Sequence, residues 1–128
     1  ETPFMDTVQK AMHAVQHIGS PYLGIYPDIG NLKNAAVLYH TDVVEDLALG
    51  SGHIFAAHFK ETLPGVYRDM DFASGGHTEY ERCAQELWRQ GVRTFTGEFW
   101  HKEGQDTQRT IQNAAVFLRD KIEQAAKA

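Results

Sequence analysis

Three side chains in this 128-residue sequence can ligate a metal and stand where α/β folds concentrate their chemistry: Asp28, His58 and Glu98. Each lies near the C-terminal end of an apolar, strand-like run, in "YLGIYPD", "HIFAAHFK" and "VRTFTGEFW". In parallel α/β architectures those ends face the active site. Glutamate is rarely buried without a partner, so Glu98, between Gly97 and Phe99, calls for one. Taken singly, Asp28 before "IGN" also reads as a turn or cap residue, and His58 as a core imidazole bonded to a backbone carbonyl. Taken together, the three have a common explanation in one divalent cation, which would neutralise two carboxylates and accept an imidazole nitrogen. A mixed oxygen and nitrogen set suits Mn²⁺, Zn²⁺, Co²⁺ or Mg²⁺ without choosing among them.

Lys60 follows His58 by two residues and so shares its face of the strand, nearer the end. Its ammonium could meet an anionic or hydroxyl-rich substrate, or simply snorkel from a strand terminus. "ASGGH" (73–77) precedes a helix start and reads either as a backbone cradle for a phosphate or as a flexible loop. His13, His17 and His40 read as solvated, and His53 as a cap or a donor behind the site. Cys83, beside Ala84 and Leu87 with no base in view, reads as core packing.

The elements that must position these groups follow from hydrophobic spacing. Asp6 and Gln9 form a capping-box pattern, and Val8, Met12, Val15 and Ile18 trace a helix that ends at Gly19 and Pro21. Residues 22–28 predict a strand closed by Pro27 and Asp28. The stretch from 31 to 50 is weaker; Thr41 can cap a short helix through Val43, Val44, Leu47 and Ala48, with Gly50 as its C-cap. Residues 53–60, apolar on both faces, predict a parallel strand covered on each side. Thr78 and Glu81 suggest a second capping box, before an apolar stripe of Tyr80, Cys83, Ala84, Leu87 and Trp88 that stops at Gly91. Residues 92–100 predict a third strand, and Ile111, Ala114, Ala115, Leu118 and Ile122 a C-terminal helix.

Helices and strands thus alternate as in α/β folds with right-handed crossovers. Three parallel strands leave two unpaired sheet edges, so self-association into a homo-oligomer is expected. The net charge of −5, without basic runs, gives no footprint for nucleic acid or an anionic membrane. A single cysteine forbids an internal disulfide and makes the reducing cytoplasm the simplest compartment.

The motifs "YPDIGN", "HIFAAHFKETLPGVYRDMDF", "YERC" and "GEFW", in this order, resemble the C-terminal half of the L-ribulose-5-phosphate 3-epimerase family, also known as hexulose-6-phosphate isomerases. These are xylose-isomerase-like TIM barrels, so the resemblance implies one partial domain over residues 1–128: the C-terminal half of a (β/α)8 barrel. It implies a divalent metal held by Asp28, His58 and Glu98, with Glu98 also catalytic, and a sugar phosphate contacted by Asn31 and Lys60. It implies inversion at C3 of a ketose phosphate through an enediolate, with two carboxylates working on opposite faces of the sugar. The family's first metal-binding glutamate belongs to a segment resembling "ExxDxPFM", in which Glu1 takes the later acidic position; the expectation is that this glutamate lies three residues before Glu1 and that the isolated chain is inactive. "FASGGH" departs from the family's "FGEG" loop. A non-phosphorylated ketose 3-epimerase, an inosose dehydratase and a non-catalytic α/β fragment are the alternatives. An apurinic endonuclease would need more histidine ligands and a basic face for DNA.

Overall fold

The computed structural model describes residues 2–128; the expectation attached to Glu1 lies outside the described residues. Among the described residues, five helices and two short strands follow in order: α1 (Val8–Ile18), α2 (Ile29–Tyr39), α3 (Val43–Ala48), β1 (Ala57–Phe59), α4 (Tyr80–Arg89), β2 (Phe95–Gly97) and α5 (Thr107–Lys127). β1 and β2 are parallel, with Ala57 opposite Phe95, His58 opposite Thr96 and Phe59 opposite Gly97. Residues 25–28 run beside β1 in parallel, bridged at Ile25–Ile54 and Asp28–His58. Ile25 N–H donates to the His53 carbonyl, and His58 N–H to that of Pro27. β1 is therefore central, and the three segments expected from the sequence lie side by side. Their ladders are shorter than the apolar runs.

Helix ends follow local chemistry, not every expected cap. α1 is capped by Thr7, whose Oγ1 accepts from Lys10 N–H, while Asp6 pairs with the Lys10 ammonium and the Tyr39 hydroxyl. α3 is capped by Asp42, not Thr41, and ends at Leu49 in a right-handed conformation, so Gly50 is not its cap. α4 has no side-chain cap, because Thr78 donates its hydroxyl to the Lys60 carbonyl instead. α2 is the element that spacing did not reveal. It buries Ile29, Leu32, Asn34, Ala35 and Ala36, an apolar surface without a clean stripe. No described helix is long and apolar enough to cross a membrane.

The core lies between the strands and the helices, which pack in succession, α2 on α3, α3 on α4 and α4 on α5. Ala57 and Phe59 point into it and are wholly buried. The Phe59, Phe72, Tyr80, Phe95 and Phe117 rings pack together beside α4 and α5, edge-on or tilted except for Phe72 and Phe117, which stack. Cys83 is wholly buried in this core, and burial pushes its thiol up to about 12, which leaves it a packing residue. The other sheet face is open: Tyr26 and Phe55 are about half exposed, at 52% and 54%. Two-sided cover, expected for residues 53–60, is therefore absent among the described residues.

Gly30 lets the start of α2 press against the end of β1, where an added Cβ would meet the Lys60 carbonyl oxygen at 2.5 Å. Since a backbone atom cannot step aside cheaply, Gly30→Ala is expected to cost about 1–3 kcal/mol. Urea unfolding midpoints of the two proteins measure it.

Candidate metal centre

Period-two alternation directs His58 away from the core side of β1, and with it Lys60, Thr96 and Glu98 on the same face. Asp28 arrives from the adjoining segment, at the point where the chain turns into α2. One of its oxygens, Oδ1, accepts from Asn31 N–H at 2.8 Å and caps that helix. The capping reading and the ligand reading are thus both available to one carboxylate, because the second oxygen is not used by the cap. Oδ2 is buried and has no hydrogen-bond partner. It lies 4.0 Å from His58 Nδ1, which lies 3.1 Å from Glu98 Oε2, and each of the three residues offers a ligand atom such that all three lie within 4.8 Å of one another.

These separations suit a shared cation. Atoms bound at about 2.1 Å sit about 3 Å apart when adjacent and about 4 Å when opposite, so only small shifts are needed. An orphaned buried oxygen is costly as it stands and is satisfied by such an ion. The donor set of two carboxylates and an imidazole fits the Mn²⁺, Zn²⁺, Co²⁺ or Mg²⁺ class.

The two carboxylates differ electrostatically. Burial pushes Asp28 up to about 6, against the Asn31 N–H bond and the Lys60 charge, which pull it down. Burial would raise Glu98 too, but a hydrogen bond from Lys60 and the charges of Lys60 and His58 outweigh it, so its carboxyl falls below the ordinary range. The Lys60 Nζ donates to Glu98 Oε1 at 2.9 Å, and its side chain is only 5% exposed. Asn31 lines a cleft of about 650 Å³ together with Asp28, Tyr26 and Tyr67, and its own Oδ1 is buried without a partner.

Sequence reasoning missed the residues that hold His58. Tyr26 meets the imidazole edge-on, with centroids 4.3 Å apart, and its hydroxyl hydrogen-bonds to Thr96 Oγ1 across the His58 strand. The signal was available, since Tyr26 precedes Asp28 by two residues and Thr96 precedes Glu98 by two. The loop at 73–77 is joined at its end to the segment that follows β1. His77 N–H donates to the Thr62 carbonyl, Thr78 N–H donates to the Glu61 carboxylate, and Gly76 packs closely on Glu61.

No family model matches the chain. It is 31% identical over 124 residues to the L-ribulose-5-phosphate 3-epimerases UlaE of Salmonella paratyphi A and Escherichia coli O139:H28, covering 96% of this chain and 42% of each relative. The chain thus spans less than half the length of the relatives it matches. A solved structure titled L-ribulose 3-epimerase superposes on 99% of the chain with a TM-score of 0.75, at 14% identity and over 45% of its own length. The likeness of fold covers the strands that carry Asp28, His58 and Glu98. Over nearly all of its length the chain is similar to L-ribulose-5-phosphate 3-epimerases, and it folds as part of a TIM barrel.

Proposed function

We propose that the chain carries the metal-binding portion of a sugar-phosphate 3-epimerase, one that inverts C3 of L-ribulose 5-phosphate to give L-xylulose 5-phosphate. The observation that carries this reading is the convergence of Asp28, His58 and Glu98, with Asp28 Oδ2 buried and unpartnered. The similarity to named epimerases supports the choice of substrate class. A divalent cation held by these three residues would polarise the oxygens of the sugar at C2 and C3.

The remaining work falls to the chain itself. Asp28 and His58 anchor the site, the imidazole being held by Tyr26. Glu98, kept ionised by Lys60, takes the C3 proton at a carboxylate oxygen, and the electron pair moves toward the C2 carbonyl to give an enediolate. Lys60 commits one of its three N–H donors to Glu98, which leaves two for sugar oxygens, and Asn31 offers its free Oδ1 from the cleft. Inversion requires a proton returned to the opposite face, hence a second carboxylate. In this reading it comes from a segment outside this chain, in line with relatives more than twice as long. The cytoplasm, where the lone Cys83 stays a thiol, is the proposed compartment.

Calorimetric titration of the chain with L-ribulose 5-phosphate tests the proposal. Saturable binding is expected with Mn²⁺ present, none without it, and none for His58→Ala. No turnover is expected from the chain alone. Binding that ignores Mn²⁺, or epimerisation by the chain alone at the rate of the longer relatives, would overturn this reading.

A further inference from the structure

Lys60 is the most enclosed charge in the site. Its backbone is clamped from two sides: Thr78 Oγ1 donates to the Lys60 carbonyl at 2.9 Å, and the Gly30 backbone presses on the same oxygen. Its ammonium reaches only one of the two oxygens of Glu98, Oε1, while Oε2 faces His58 Nδ1. The two oxygens therefore have different neighbours before any ion binds. A carboxylate free on both sides can bind a cation through one oxygen or chelate it through two. Here rotation into a chelating pose would break the bond to an ammonium that has little access to water as a replacement.

We propose that Lys60 is a positioning residue that forces Glu98 to bind its cation through Oε2 alone and holds Oε1 outside the coordination sphere. The inference rests on reading the Asp28–His58–Glu98 cluster as a cation site and goes beyond it by assigning each Glu98 oxygen. Its consequence for chemistry is a fixed division of labour: Oε2 belongs to the ion, and Oε1, hydrogen-bonded to Lys60, is the oxygen left to face the substrate. Chelation would remove that second oxygen from proton transfer.

Infrared difference spectra of the chain with and without Mn²⁺, using glutamate labelled with ¹³C at the side-chain carboxyl, report this directly. A carboxylate bound through one oxygen shows a wider separation of its two stretching bands than the free ion, and a chelating one a narrower separation. The wild-type chain is expected to show the wider separation, as is Lys60→Arg, which restores a donor to Oε1. Lys60→Met is expected to show the narrower one and to bind Mn²⁺ more tightly by on the order of tenfold, since a like charge has left the neighbourhood. A chelated wild-type spectrum, or a Lys60→Met spectrum identical to wild type, would overturn the assignment. The wild-type result alone decides if the methionine variant does not fold. Failure of the wild-type chain to bind Mn²⁺ would overturn the site itself along with the role of Lys60, and so is distinguishable from a failure of the oxygen assignment.

Discussion

Asp28→Asn is expected to lower Mn²⁺ affinity at least about 100-fold, because a charged ligand is lost, while leaving the fold at pH 8 as stable as before or more so. The two effects separate because Asp28 does two jobs with two oxygens. Asparagine caps helices as well as aspartate does, so the bond from Asn31 N–H survives. What disappears is the buried, unpartnered Oδ2 and its charge. The folded-state value of about 6 lies above the ordinary 3.8, so between these values the folded chain holds more protons than the unfolded one. Stability from this group is therefore full below about pH 4, falls as pH rises through 6, and stays reduced above it. The penalty is at most about 3 kcal/mol by linkage. The asparagine variant should lose that slope. Cation binding runs the other way, since the ion needs the carboxylate, and wild-type affinity should climb through pH 6 and then level off. Denaturant melts at pH 5 and pH 8, paired with Mn²⁺ calorimetry, read both signs. A variant that still binds Mn²⁺ like wild type would contradict the assignment of Asp28.

Glu98→Gln is expected to act in the opposite sense on stability. Removing this carboxylate strands the Lys60 ammonium, 5% exposed, with no anion in direct contact among the described residues. Breaking a buried pair from one side costs several kcal/mol; with Glu98 itself 28% exposed, a loss of about 2–3 kcal/mol is expected. Because the Glu98 value is lowered in the folded state, its contribution is present above the unfolded carboxyl value and vanishes as pH falls through the folded one. The penalty of the variant should accordingly shrink in acid. Combining Glu98→Gln with Lys60→Met removes both charges and should recover much of the loss, a coupling that a double-mutant cycle measures. Additive losses would show that the Lys60–Glu98 contact contributes nothing to the fold.

What the sequence made legible was the part of the molecule governed by period and by expensive residue types. His58 and Glu98 stood out because imidazoles and carboxylates are costly inside apolar strands, and the parallel order of the three segments followed from their alternation with helices. Asp28 was ambiguous between cap and ligand because it is placed to serve as both. α2 stayed hidden because a helix buried on most sides loses the contrast that reveals the others, and Asn34 and Gly30 interrupt what contrast remains. Two of the misassigned caps share a cause: Asp6 and Thr78 have the right chemistry, but other partners, Lys10 with Tyr39 and the Lys60 carbonyl, claim their side chains first. Tyr26 was passed over as a strand aromatic, although its place two residues before Asp28 puts it on the face of the site. The packing of Gly76 on Glu61 depends on a contact between residues fifteen apart that no local pattern encodes.

The most direct measurement is the anomalous scattering of crystals of this chain grown or soaked with Mn²⁺. One strong peak is predicted, bonded to Asp28 Oδ2, His58 Nδ1 and Glu98 Oε2 together. A peak held by other residues, or none while the three side chains remain well ordered, would contradict the metal centre and the epimerase reading built on it.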